Sequence, residues 1–153
     1  MMHESVQEAV EAAEAEGISL GELAIRAEVE GGLRTREEVE AGLRRALDVM
    51  RGAVDRGIKG DLRSVSGLVG GDAAKLAAGQ GPLAGTPFVD ALAAALAVQE
   101  VNAAMGVIVA APTAGGAGVL PGTLLGRAQH HGSTDDGLIR ALAWRPAGTH
   151  LVA

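Results

Sequence analysis

Apolar residues recur three and four positions apart along the first third of the chain. Val6, Ala9, Val10 and Ala13 form one row; Leu20, Leu23, Ala24 and Ala27 form a second. Val39, Leu43, Leu47, Met50 and Val54 form a third and longer one. This spacing places each row on one face of a helix. It predicts helices over about Val6 to Glu16, Leu20 to Glu30 and Arg36 to Arg56. Each is preceded by a hydroxyl residue with a glutamate three positions on: Ser5 and Glu8, Ser19 and Glu22, Thr35 and Glu38. Such pairs satisfy the free amides of a first helical turn reciprocally. Gly17, Gly31-Gly32 and Gly57 supply the stops. Arg36, Glu40, Arg44, Arg45, Arg51 and Asp55 fall largely off the apolar row and read as a solvated face.

The pattern changes at Gly60. Residues 60–85 are rich in glycine and weakly periodic, with a short helix expected from Asp72 to Ala78. Thr86-Pro87 reads as an N-cap followed by proline at the first helical position. The apolar helix it opens is expected to reach about Val109, since Pro112 cannot continue it. Beyond a second glycine-rich stretch, helix is expected from Gly122 to His130. A last helix, opened by Ser133 and Asp136, carries Leu138, Ile139 and Leu142. The shift implies an amphipathic region over 1–59, a glycine- and alanine-rich region over 60–143 and a divergent tail over 144–153. No fixed-period repeat appears.

Composition sharpens this into a mainly α protein. Of 153 residues, 48 % are hydrophobic but only 1 % aromatic, namely Phe88 and Trp144. Alanine and glycine fill the interior, and alanine favours helix. The net charge of −6, from 13 basic and 19 acidic residues, argues against nucleic acid, which needs clustered cations. The two helices around Gly31-Gly32 resemble a helix-turn-helix only superficially. The N-terminus lacks an apolar signal core. The long apolar run carries Asp90, Gln99, Glu100 and Asn102, too polar for a membrane span. A cytoplasmic protein is expected. Cysteine is absent, which removes disulfides, thiolate catalysis and cysteine-held metal from this chain.

Three features carry candidate chemistry. On the helix from Pro87, Gln99, Asn102 and Gly106 share one face as a polar strip, with Glu100 its only charged neighbour. In "SVSGLVGGD", Ser66, Gly70, Gly71 and Asp72 form a glycine loop whose amides suit an anion. In "AAPTAGGAGVLPG", Thr113, Gly115, Gly116 and Gly118 form another. Neither loop has the spacing of a nucleotide-binding loop. Two such loops converging would hold one small anionic ligand, a carboxylate or a phosphate. The histidines, His3, His130, His131 and His150, lack metal-ligand spacing, and no metal site is expected from them.

"SVSGLVGGDAAKL" (Ser64 to Leu76) and "AAALAVQEVNAAMGVIVAAPTAGGAGVLPG" (Ala93 to Gly122), at their separation, resemble the α chain of bacterial iron–sulfur L-serine dehydratase. "RTREEVEAGLRRALDVMRGAVDRGIKGDLRSVSG" (Arg34 to Gly67) is similar to the early part of that chain. The resemblance covers about Val6 to Ala143. It implies a mostly helical catalytic domain that deaminates L-serine to pyruvate and ammonia. It also implies a [4Fe–4S] cluster acting as Lewis acid on the serine hydroxyl. By resemblance, Ser66, Gly70, Gly71, Asp72, Asn102, Thr113 and Gly115 would line the substrate site; it points to no general base. A β chain is an implied partner.

The chain also departs from that family. The cluster cysteines of the family lie further downstream, and "ALAWRPAGTHLVA" (Ala141 to Ala153) does not match the family's continuation. The expectation is a truncated α chain, inactive alone and prone to self-association through uncovered apolar surface. The alternative is a cofactor-free module that binds a small carboxylate or serves a structural role.

Overall fold

The structure is a computed structural model that describes residues 5–32, 34–79, 82–111 and 113–144. His3, His150 and most of the divergent tail lie outside the described residues. Among those described, every regular element is a helix: α1 (Val6–Glu16), α2 (Leu20–Glu30), α3 (Arg36–Ile58), α4 (Asp72–Ala77), α5 (Pro87–Ala103), α6 (Val119–His131) and α7 (Asp135–Ala143). The mainly α expectation holds. The described residues divide into two compact units, one drawn from 5–47 with 134–144 and the other from 48–133, the division falling inside α3.

The first unit contains α1, α2, the start of α3 and α7. Ala9, Ala13 and Leu23 form a buried cluster, covered by Ala12, Ile18, Leu20 and Trp144. Gly21 of α2 meets the backbone of α7 so closely that a Cβ there would collide with the Arg140 carbonyl. At all three predicted starts the hydroxyl accepts from the amide of the glutamate three positions on. Thr35 and Glu38 bond reciprocally, at 2.8 and 3.3 Å. Ser19 accepts from the Glu22 amide at 3.1 Å, but the Glu22 carboxylate turns to Arg36 and Arg26 instead. An ion pair to two guanidiniums outcompetes one backbone amide.

The second unit is built around α5, and here the sequence reading needs correction at several helix ends. α3 does not stop at Gly57. It continues through Gly57 to Ile58; Gly57 is a packing contact, buried against Ala97 of α5 where no side chain fits. α5 ends at Ala103, not near Val109. The Gly106 amide bonds to the Val101 carbonyl at 2.8 Å and the Met105 amide to that of Asn102 at 3.0 Å. This double bond pattern closes the helix with Met105 in the left-handed region, φ 60°. α6 begins at Val119, earlier than expected. α7 is capped by Thr134, which accepts from Gly137, rather than by Ser133.

The reason α6 starts early is packing. Gly118, Gly122 and Gly126, four residues apart, lay its backbone against Ala91 and Ala95 of α5; an added Cβ at Gly126 would lie 2.6 Å from Ala91. Such glycines let two helix backbones approach more closely than larger residues permit. The glycines of the second loop region thus serve, in part, a helix seam.

Candidate functional site

Both glycine loops are held by neighbouring residues on the last two turns of α5. The first loop folds on itself before it reaches that anchor. The Ser64 amide donates to the Val69 carbonyl at 2.8 Å, and the Val69 amide returns a bond to Ser64 Oγ at 3.1 Å. Ser66 Oγ lies 3.1 Å from Ser64 Oγ. Gly70, at φ 144°, passes so near the Leu62 carbonyl that a side chain would collide. Gly71 follows at φ 87° as the N-cap of α4 and has no side chain with which to cap it.

The cap comes from 27 to 29 residues away. Glu100, only 3 % exposed, sends its carboxylate to the start of α4. Oε2 accepts from Gly71 at 2.9 Å; Oε1 accepts from Asp72 at 2.7 Å and Ala73 at 3.0 Å. Three amide donors and the positive end of a short helix compensate the buried charge. The amides assigned from sequence to a ligand carboxylate are therefore occupied by the protein's own. Asp72 keeps its side chain outward, paired with Lys75 Nζ at 2.9 Å, which lowers its carboxyl pKa below the ordinary range.

The second loop is held by the next residue. Gln99 Nε2 donates to the Gly115 carbonyl at 2.9 Å and to that of Ala114 at 3.5 Å. Thr113 Oγ1 accepts from the Gly116 amide at 3.2 Å, leaving its own proton to be donated. Ala117 is fully buried, and Val119 closes the loop into α6 by bonding to the Gly116 carbonyl. Asn102, half-buried, stands on the final turn of α5 between these anchors and Met105. Gly106 does not continue the polar strip, since the helix has ended before it.

The residue the sequence reading misses is Glu100, noted there only as the charged neighbour of the polar strip and not among the site residues. Two signals point to it. It is one of only two acids on a 17-residue apolar helix, and the helix it caps begins with glycine, which cannot cap itself. The other acid, Asp90, is bound by His130 of α6 at 2.7 Å. His131 lies 3.3 Å from Arg127. Both histidines are thus tied to neighbouring side chains, and no group of three potential ligands suited to a metal occurs among the described residues.

Comparison with known proteins bears on this arrangement directly. The family model described as serine dehydratase alpha chain matches residues 3–152. A probable L-serine dehydratase, alpha chain, from Bacillus subtilis (strain 168) is 40 % identical over 144 residues, which is 92 % of this chain and 48 % of the relative. The chain thus spans about half the length of the curated relative it matches. No solved structure matches it. With a match that takes in both glycine loops, the α5 anchor between them and nearly all the rest of the sequence, this chain belongs to the serine dehydratase alpha chain family.

Proposed function

We propose that this chain supplies the substrate-holding loops of an L-serine dehydratase, which converts L-serine to pyruvate and ammonia. The observation that carries the reading is the shared anchor: Gln99 and Glu100, adjacent on one helix, fix the two glycine loops to the same end of α5. Within that frame, Ser66, Asn102, Thr113 and Gly115 present polar groups to the substrate. Gly70, Gly71 and Asp72 act a step back, shaping the first loop against Glu100. Hydroxyl and amide groups of this kind orient a small zwitterion and exclude other poses; they do not themselves remove the α-proton.

A [4Fe–4S] cluster is implied by the family resemblance, and the donor set here does not fit one. Such clusters are held by thiolates, and the chain contains no cysteine. The reading therefore needs cluster ligands from outside these 153 residues, alongside the β chain expected as a further partner. Alone, the 153 residues bind substrate weakly and turn none over.

The test is reconstitution. The chain is combined anaerobically with iron, sulfide, a serine dehydratase β chain and the part of the Bacillus subtilis relative that has no counterpart here, and pyruvate is measured. Pyruvate from the mixture, and none from either part, is the expected result. Pyruvate or a bound four-iron cluster from this chain alone would overturn the reading. Heat of L-serine binding to the chain alone, lost in Thr113→Val and unchanged by iron, with no pyruvate from any mixture, would favour a cofactor-free binding module.

A further inference from the structure

α5 buries three sides and leaves one open. Its Ala97 meets Gly57 of α3, its Ala91 and Ala95 meet the glycines of α6, and Glu100 reaches α4. At about 100° per residue, Phe88, Leu92 and Leu96 stand in a row on the remaining side, continued by Gln99 and Ala103. Phe88 is 70 % exposed and Leu92 41 %. No charged residue lies in that row: Asp90 faces His130 and Glu100 is buried. An exposed helix face of a free-standing domain ordinarily carries charge. Nor is the row isolated, for nine of the ten exposed large apolar side chains among the described residues fall between Val65 and Val119.

We infer that the Phe88–Leu92–Leu96 row is the docking surface for the other half of a dehydratase α chain, the part of the relative's length that this chain does not span. The inference rests on the dehydratase reading and names the surface through which the unmatched half is joined. Two observations select this occupant over a second copy. In the relative, the matched stretch is 48 % of one continuous chain, so slightly more than half a chain is present there to cover it. Two copies paired through the row would bury three large side chains each, on the order of a few hundred Å² in all, against roughly 1,200 Å² or more in stable interfaces. A segment as long as this chain can also cover Val65, Leu68 and Met105.

The test pairs the full chain with the unmatched part of the Bacillus subtilis relative, as separate polypeptides and as one fused polypeptide. Sedimentation equilibrium should show a one-to-one complex, weakened about thirtyfold by Leu92→Glu, the scale of a central interface residue. The melting curve of the chain alone should move far less than the affinity does, because Leu92 is 41 % exposed in it. The chain has no cysteine of its own, so a Leu92→Cys thiol can be followed by maleimide labelling of its peptide. It should label readily in the chain alone and at least tenfold more slowly in the complex or the fusion. Equal labelling in the chain and the fusion would overturn the inference. So would a complex indifferent to Leu92→Glu, or a homodimer that Leu92→Glu dissolves and the added half does not displace. Association is read by mass and labelling, without iron or turnover, so a complex that still makes no pyruvate once iron, sulfide and the β chain are supplied would refute the proposed function and leave the docking surface standing.

Discussion

Replacing Glu100 by glutamine changes almost no volume and isolates what the buried carboxylate does. Its Oε1 accepts two amides and its Oε2 one. In Glu100→Gln the amide oxygen can take over the pair from Asp72 and Ala73. The amide nitrogen is then left facing the Gly71 N–H, donor against donor. The lost bond is a charge-assisted one, worth about 1.5–3 kcal/mol, and the two that remain weaken to neutral strength. The expected loss is about 2–4 kcal/mol, a large share of the 5–15 kcal/mol that typically separates folded from unfolded domains. Glu100→Ala should cost more, since it orphans three amides and opens a void. Urea unfolding followed by ellipticity measures the loss. Hydrogen exchange locates it: the Gly71, Asp72 and Ala73 amides should lose protection before the α5/α6 seam does. A loss below about 0.5 kcal/mol, the range of ordinary surface changes, would show that the α4 amides have another acceptor and that Glu100 is not the anchor of the first loop.

Three further outcomes are expected. Gly52→Ala and Gly57→Ala both gain helix propensity on α3, but only the first has open space; Gly52→Ala should stabilise by up to about 1 kcal/mol and Gly57→Ala destabilise by about 1–3 kcal/mol in thermal melts, a reversal of sign within five residues. Met105→Gly should stabilise by roughly 1 kcal/mol, since Met105 holds φ 60° while 82 % exposed; destabilisation would mean that its side chain makes a contact of value. The hydrogen bond from Arg36 is the main force holding the Glu22 carboxyl at about 2 rather than 4.5, with Arg26 assisting against burial. The unfolded chain therefore binds the extra proton between those values, and stability should fall as pH drops from 4.5 toward 2. Allowing for the half-exposed Arg36, the Glu22 share is about 1–2 kcal/mol; acid titration of unfolding should flatten by that amount in Glu22→Gln.

The first two helices and the core face of the third could be read from spacing because local rules decide them. Val39, Leu43, Leu47, Met50 and Val54 are all buried as their period requires. The features that escaped reading depend on partners distant in sequence. Gly57 looks like a stop, and only Ala97, forty residues on, makes it a contact. Pro112 looks like the natural limit of α5, yet the helix closes earlier on a methionine in a conformation usually left to glycine. The glycine loops stood out as candidate anion sites; that one already holds an anion, from Glu100, follows only once α5 is laid beside α4.

Trp144 rests on the Ala9, Ala13 and Leu23 cluster, and the chain has no tyrosine. Indole emission therefore watches only the unit formed by α1, α2 and α7, while the loops and their α5 anchor are optically silent. Melts recorded by fluorescence and by ellipticity will superimpose only if the two units unfold as one; a gap between the curves would measure how far each stands without the other.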